Sequence, residues 1–141
     1  MKNGIQNMFY ALGISGCYAL CLIDIAEEFT GREMDAAAEL EKAIGKGYVT
    51  YHWENWSHPD NFFVTYPGLF LEQMTGRKWE VRYGPAGKEA AEGEYIVRRY
   101  EYVKTGQTSA HFERDRFKPY LNSRTVRYGE EASVRVCKVL N

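Results

Sequence analysis

An α+β fold, with N-terminal helices packed on an antiparallel sheet, is predicted by three observations. Apolar residues recur at helical spacing through the first half of the chain. Val, Ile, Tyr and Trp gather in short, turn-bounded runs through the second half, and helices lead while strands follow. With 141 residues, 45% of them hydrophobic, there is material for one core and little for two, so a single domain over 1–141 is expected.

From Cys17 to Phe29 the run CYALCLIDIAEEF sets Tyr18, Leu22, Ile25 and Phe29 on one stripe, which Leu20, Ile23 and Ala26 widen until nearly every face is apolar. Such a helix belongs in the middle of a fold, and Thr30-Gly31 ends it. A second helix, about Met34 to Ile44, starts at Asp35 and closes at Gly45-Lys46-Gly47; its narrower apolar face places it on the surface of the first. The aromatic stretch from Tyr51 to Tyr66 has no period and reads as a loop or a short helix near Pro59. Pro67 then opens a short helix to Met74, stopped by Gly76. Strands are expected over Lys78 to Tyr83, Glu94 to Val103, Ser109 to Arg114 and Ser133 to Leu140, separated by Gly84-Pro85, Gly106-Gln107 and Gly129. There is no internal repeat and no run long enough to cross a membrane.

Nineteen acidic and eighteen basic side chains nearly cancel, so no general field draws nucleic acid or an anionic membrane, and neither is an expected partner. Three cysteines, Cys17, Cys21 and Cys137, cannot close a disulfide framework, which favours a reducing, cytoplasmic setting. Ile14-Ser15-Gly16-Cys17 matches the small-residue pattern ahead of a lipid-modified cysteine. The stretch before it, however, has Lys2 as its only base and is interrupted by Asn3, Gln6 and Asn7, and the apolar run continues past Cys17, so a helix is the better reading. His52 and His58 have no zinc-like spacing with the cysteines, and neither a metal nor a cofactor is expected.

A thiol at the start of a helix is chemically distinctive, because unpaired N–H groups and the positive end of the helix dipole favour the thiolate. His111, in SAHFER at the opening of a strand pattern, is placed to complete a thiolate–imidazolium pair with Cys17. Strand side chains alternate, so if Phe112 points to the core, His111 points to a cleft or to solvent. The competing readings are a small buried hydrophobe for Cys17 and an ordinary surface histidine for His111. Cys21, one turn deeper, and Cys137, between Val136 and Val139, read as core. The aromatics of Tyr51 to Tyr66, and Tyr95, Tyr100 and Tyr102, are read as filling a core in preference to lining a peptide groove. Arg114, Asp115, Arg116 and Lys118 read as a solvated turn in preference to a partner-binding edge.

Gln6, then Gly16-Cys17 opening a helix, then a strand with a small residue, His111 and an aromatic, then Pro119-Tyr120 and Ser123-Arg124-Thr125-Val126, resembles the papain-like cysteine peptidases. The likeness is to the double-glycine leader peptidase type and to small phage and bacterial relatives, and it spans most of the chain in order of elements. It implies a papain-like fold in which Gln6 helps hold the oxyanion, Cys17 attacks and His111 acts as general base and acid. The implied function is a cysteine hydrolase acting on a peptide or amide bond, with a peptide or protein as substrate and no cofactor.

One position departs from that pattern. Where the family carries the Asp or Asn that orients the histidine, immediately before the proline, this chain has Lys118, whose ammonium has donors only. The orienting role is then vacant or filled elsewhere, with Asn122 and Asp115 the nearest candidates. The alternative function is therefore a catalytically impaired papain-like binding module of phage or bacterial origin. Substrate and oligomeric state are not legible in the sequence.

Overall fold

The apolar run that begins at Cys17 folds as α1 (Cys17–Thr30), and the breadth of its stripe explains its position: Ala19, Cys21, Leu22, Ile23, Ile25 and Ala26 are all buried. It ends at Gly31, whose left-handed backbone (φ 70°) lets its N–H reach the carbonyl of Glu27 at 2.8 Å. α2 (Ala36–Gly45) is capped by Asp35, which accepts from the N–H of Ala38 at 3.1 Å, and α3 (Pro67–Thr75) opens on its proline. The structure is a computed structural model and describes residues 12, 16–55, 57–104, 107–119 and 130–141.

Four strands follow the helices: β1 (Trp79–Pro85), β2 (Glu94–Lys104), β3 (Gln107–Glu113) and β4 (Glu130–Val139). They form one antiparallel sheet in the order β1-β4-β2-β3, so that β3 is an edge. The chain is thus α+β, with its helices N-terminal and packed on an antiparallel sheet. Among the described residues, no helix is long and apolar enough to cross a membrane.

The core lies between the helices and one sheet face, where Leu22, Ile25, Phe70 and Leu71 meet Val97 and Cys137. Phe29, Trp79 and Tyr95 close its far end with edge-on ring contacts. The other face buries Ile96, Val134 and Val136 as a smaller cluster. α2 differs from expectation in its attachment. It is tied chiefly to α3, where Gln73 donates to the carbonyl and the carboxylate of Glu39, rather than laid on α1.

Candidate active site

Helical periodicity places Cys17, Cys21, Asp24 and Glu28 on one stripe of α1, and that stripe faces β3 and the hairpin after it. At the top of the stripe, the backbone N–H of Phe112 donates to Cys17 Sγ at 3.4 Å. Two turns down, Arg114 donates to Asp24 Oδ2 at 2.6 Å and to Glu28 Oε2 at 2.7 Å, and Arg116 approaches the same two carboxylates. The charged corner is a solvated turn only in part: Asp115, Arg116 and Lys118 are exposed, and Arg114 is the exception. Arg114 is buried, and the corner clamps the strand carrying His111 to the helix carrying Cys17. Those partners lie about ninety positions upstream, beyond the reach of local pattern.

Gly16 is the N-cap of α1, and Cys17 is its first helical residue. A Cβ at position 16 would stand 2.7 Å from the Leu12 carbonyl oxygen and 2.3 Å from its Cδ1, so the glycine before the cysteine is a steric requirement.

His111 and Glu113 are two residues apart on β3 and share a face, opposite Tyr100 and Arg98 of β2. His111 Nε2 stands 3.3 Å from Glu113 Oε2, and both side chains are buried. The other carboxylate oxygen of Glu113 accepts from Lys118 Nζ at 2.8 Å. The acceptor behind the imidazole is thus Glu113. Lys118 occupies the position where the resemblance puts an Asp or Asn, and it reaches back to hold that glutamate. Asp115 is not the acceptor: it is exposed and bonded to Arg98 at 2.8 Å. Asn122 lies outside the described residues, as do Gln6 and the segment Ser123 to Val126.

The bond from Phe112 fixes the approach of the helix to the histidine. The Phe112 nitrogen is about 2.4 Å from the Cα of His111, so Cys17 Sγ lies within about 6 Å of that Cα. Nε2 is directed at Glu113, and the imidazole shares the sheet face of Tyr100, opposite to that of Phe112. Burial pushes the His111 pKa below the usual 6.5, and Lys118 adds to this, while the hydrogen bond and charge of Glu113 pull the other way. Cys21 and Cys137 are buried thiols of the core, both pushed up by burial, Cys137 to about 12.

Cys17 also lines an open groove of about 500 Å³, walled by Phe112 and Tyr18 on one side and by Phe62 and Phe63 of the aromatic loop on the other. Tyr18 and Phe112 stack at 4.6 Å. Phe62 has a left-handed backbone (φ 60°), which a bulky residue adopts only under local constraint. The constraint comes from buried Asn61, which accepts from the N–H of His52 at 2.7 Å and donates to the Asn55 carbonyl. The aromatic loop therefore divides its labour: Tyr51 and Phe62 are buried, while Phe63 is 61% exposed at the groove. Tyr95 joins the core and Tyr100 lies on the opposite face of its strand; the side chain of Tyr102 is outside the described set.

His52, His58 and Asp60 bring one ligand atom each within 4.8 Å of one another, the one such group among the described residues. His58 Nδ1 accepts from the N–H of Asp60 at 3.0 Å. No family model, curated protein or solved structure matches the chain.

Proposed function

We propose that the chain is a papain-like cysteine hydrolase that cleaves a peptide, isopeptide or amide bond. The observation that carries this reading is the meeting of α1 and β3: Cys17 Sγ accepts from the N–H of Phe112, and the neighbouring imidazole of His111 is backed by Glu113. In this mechanism His111 takes the thiol proton, and the sulfur attacks the carbonyl carbon. The C–N bond then breaks as His111 returns the proton to the leaving amine. Water, deprotonated by the same imidazole, hydrolyses the thioester and regenerates the thiol. The oxyanion is held by the backbone N–H of Cys17 at the start of α1, with Gln6 as second donor. Glu113 keeps the imidazole in the tautomer with Nε2 protonated.

The alternative, an impaired binding module, rested on Lys118. Bonded to Glu113, that cation no longer implies an unsupported histidine, which favours the enzyme. Three unbridged cysteines support a reducing setting, the cytoplasm. A screen of electrophilic activity-based probes and fluorogenic peptide amides tests the reading. Wild type should form an adduct on Cys17 and release fluorophore, and Cys17→Ala should do neither. Absence of both in the folded wild-type protein overturns it.

A further inference from the structure

The groove beside Cys17 contains a second chemical feature, Arg135 of β4. Its guanidinium lies 3.9 Å over the ring of Tyr83, its cross-strand neighbour, and Nη1 donates to Ser133 Oγ at 3.0 Å and to the Val134 carbonyl at 3.3 Å. These contacts fix the group but, among the described residues, leave its charge without a counter-ion. Every other described arginine of the sheet and its hairpin rests on a carboxylate. Arg82 has Glu94 and Arg98 has Asp115; Arg99 pairs with Glu101, while Arg114 and Arg116 share Asp24 and Glu28. Among the described residues no ion pair involves Arg135, and those that line the groove include two arginines and no carboxylate.

We propose that this groove holds a carboxylate subsite built on Arg135, so that the preferred peptide places an acidic side chain or its own C-terminal carboxylate there. A half-buried guanidinium gives up hydration, and stacking on Tyr83 offsets only part of that loss; a ligand carboxylate supplies the rest. Consistent with an uncompensated charge, burial pushes the Arg135 pKa down. The planar fork of arginine suits a carboxylate bidentately, and Ser133 and Val134 occupy only Nη1. Arg135 stands 5.6 Å from the ring centre of Phe112, whose N–H meets Cys17 Sγ, so the recognised group lies within a few residues of the bond attacked. The inference rests on the hydrolase reading for the identity of its ligand as a peptide.

Labelled peptides that carry Glu or Gln, each as free acid and as C-terminal amide, are titrated against Cys17→Ala by fluorescence anisotropy and offered to wild type for turnover. The expected preference is about 10- to 100-fold for Glu over Gln, or for acid over amide, the range of a charged hydrogen-bonded pair. Which of the two contrasts carries it identifies the source of the carboxylate. The ratio should fall to near one when Arg135→Gln is added and be partly retained with Arg135→Lys. Ratios near one against Arg135 itself overturn the subsite, as does a preference that survives Arg135→Gln. If the Gln variant does not fold, the ratios with Arg135 and with Lys still decide. Turnover without acid preference removes the subsite and leaves the hydrolase; acid-selective binding without any turnover does the reverse.

Discussion

Nε2 of His111 and Oε2 of Glu113 stand 3.3 Å apart on neighbouring same-face positions of an edge strand, both enclosed by protein. A hydrogen bond between residues i and i+2 of one strand needs no long-range folding accuracy, because the pleat itself brings them together. Glu113→Gln keeps shape and removes charge. The amide can donate as well as accept, so it no longer enforces the Nε2–H tautomer. Turnover with a peptide amide should fall by about two orders of magnitude or more, while the melting temperature stays near that of wild type. Unchanged turnover would show that Glu113 does not orient the base.

Lys118 acts through Glu113 and through space. Its charge lowers the proton affinity of His111, so Lys118→Met should raise it and move the pH–activity bell to higher pH. The measurement is kcat/KM across pH 5 to 10 in both proteins. A bell that stays in place, or moves down, would contradict the electrostatic role.

The lowered pKa of His111 also fixes a stability trend. Between its folded pKa and the unfolded value of 6.5, the unfolded chain binds more protons than the native one, so stability rises with pH through that window. The contribution is fully present above about pH 6.5 and is lost as pH falls below it. Urea unfolding at pH 7.5 and 5.5 should show this loss in wild type and a smaller one in His111→Gln. The paired carboxylates Glu94 and Asp115, held below their ordinary values, act in a separate and more acidic window.

Arg114 joins the strand that carries His111 to the helix that carries Cys17, and Arg114→Ala leaves Asp24 buried with Arg116 as its remaining cation. A loss of ~2 kcal/mol is expected, below the range for fully buried pairs because Glu28 is partly exposed and Arg116 persists. Replacing both partners, Asp24→Leu with Arg114→Leu, should be less damaging than Arg114→Ala alone. Denaturant midpoints of the three variants test this, and a neutral Arg114→Ala would remove the clamp.

The elements that the sequence made legible are those whose signal is local. The stripe of Tyr18, Leu22, Ile25 and Phe29 defined α1, and the Val- and Tyr-rich runs defined four strands; β3 and β4 begin earlier than expected, at Gln107 and Glu130. The strand order was not legible, because it depends on pairings between distant segments. The burial of Arg114 at an otherwise exposed corner was not legible for the same reason. Glu113 was legible in principle: His-x-Glu in a strand pattern places both side chains on one face, whereas Asp115 and Asn122 are nearer to the position before Pro119.

The proposed chemistry requires Cys17 to be an activated thiol paired with His111. Alkylation of the native protein with iodoacetamide, followed site by site with mass spectrometry from pH 5 to 9, tests it most directly. Cys17 should react far faster than Cys21 and Cys137, with an apparent pKa well below that of an ordinary thiol near 8.5, and His111→Ala should abolish the advantage. Labelling of Cys17 that is no faster than that of the two core cysteines, or that is indifferent to His111→Ala, would contradict it.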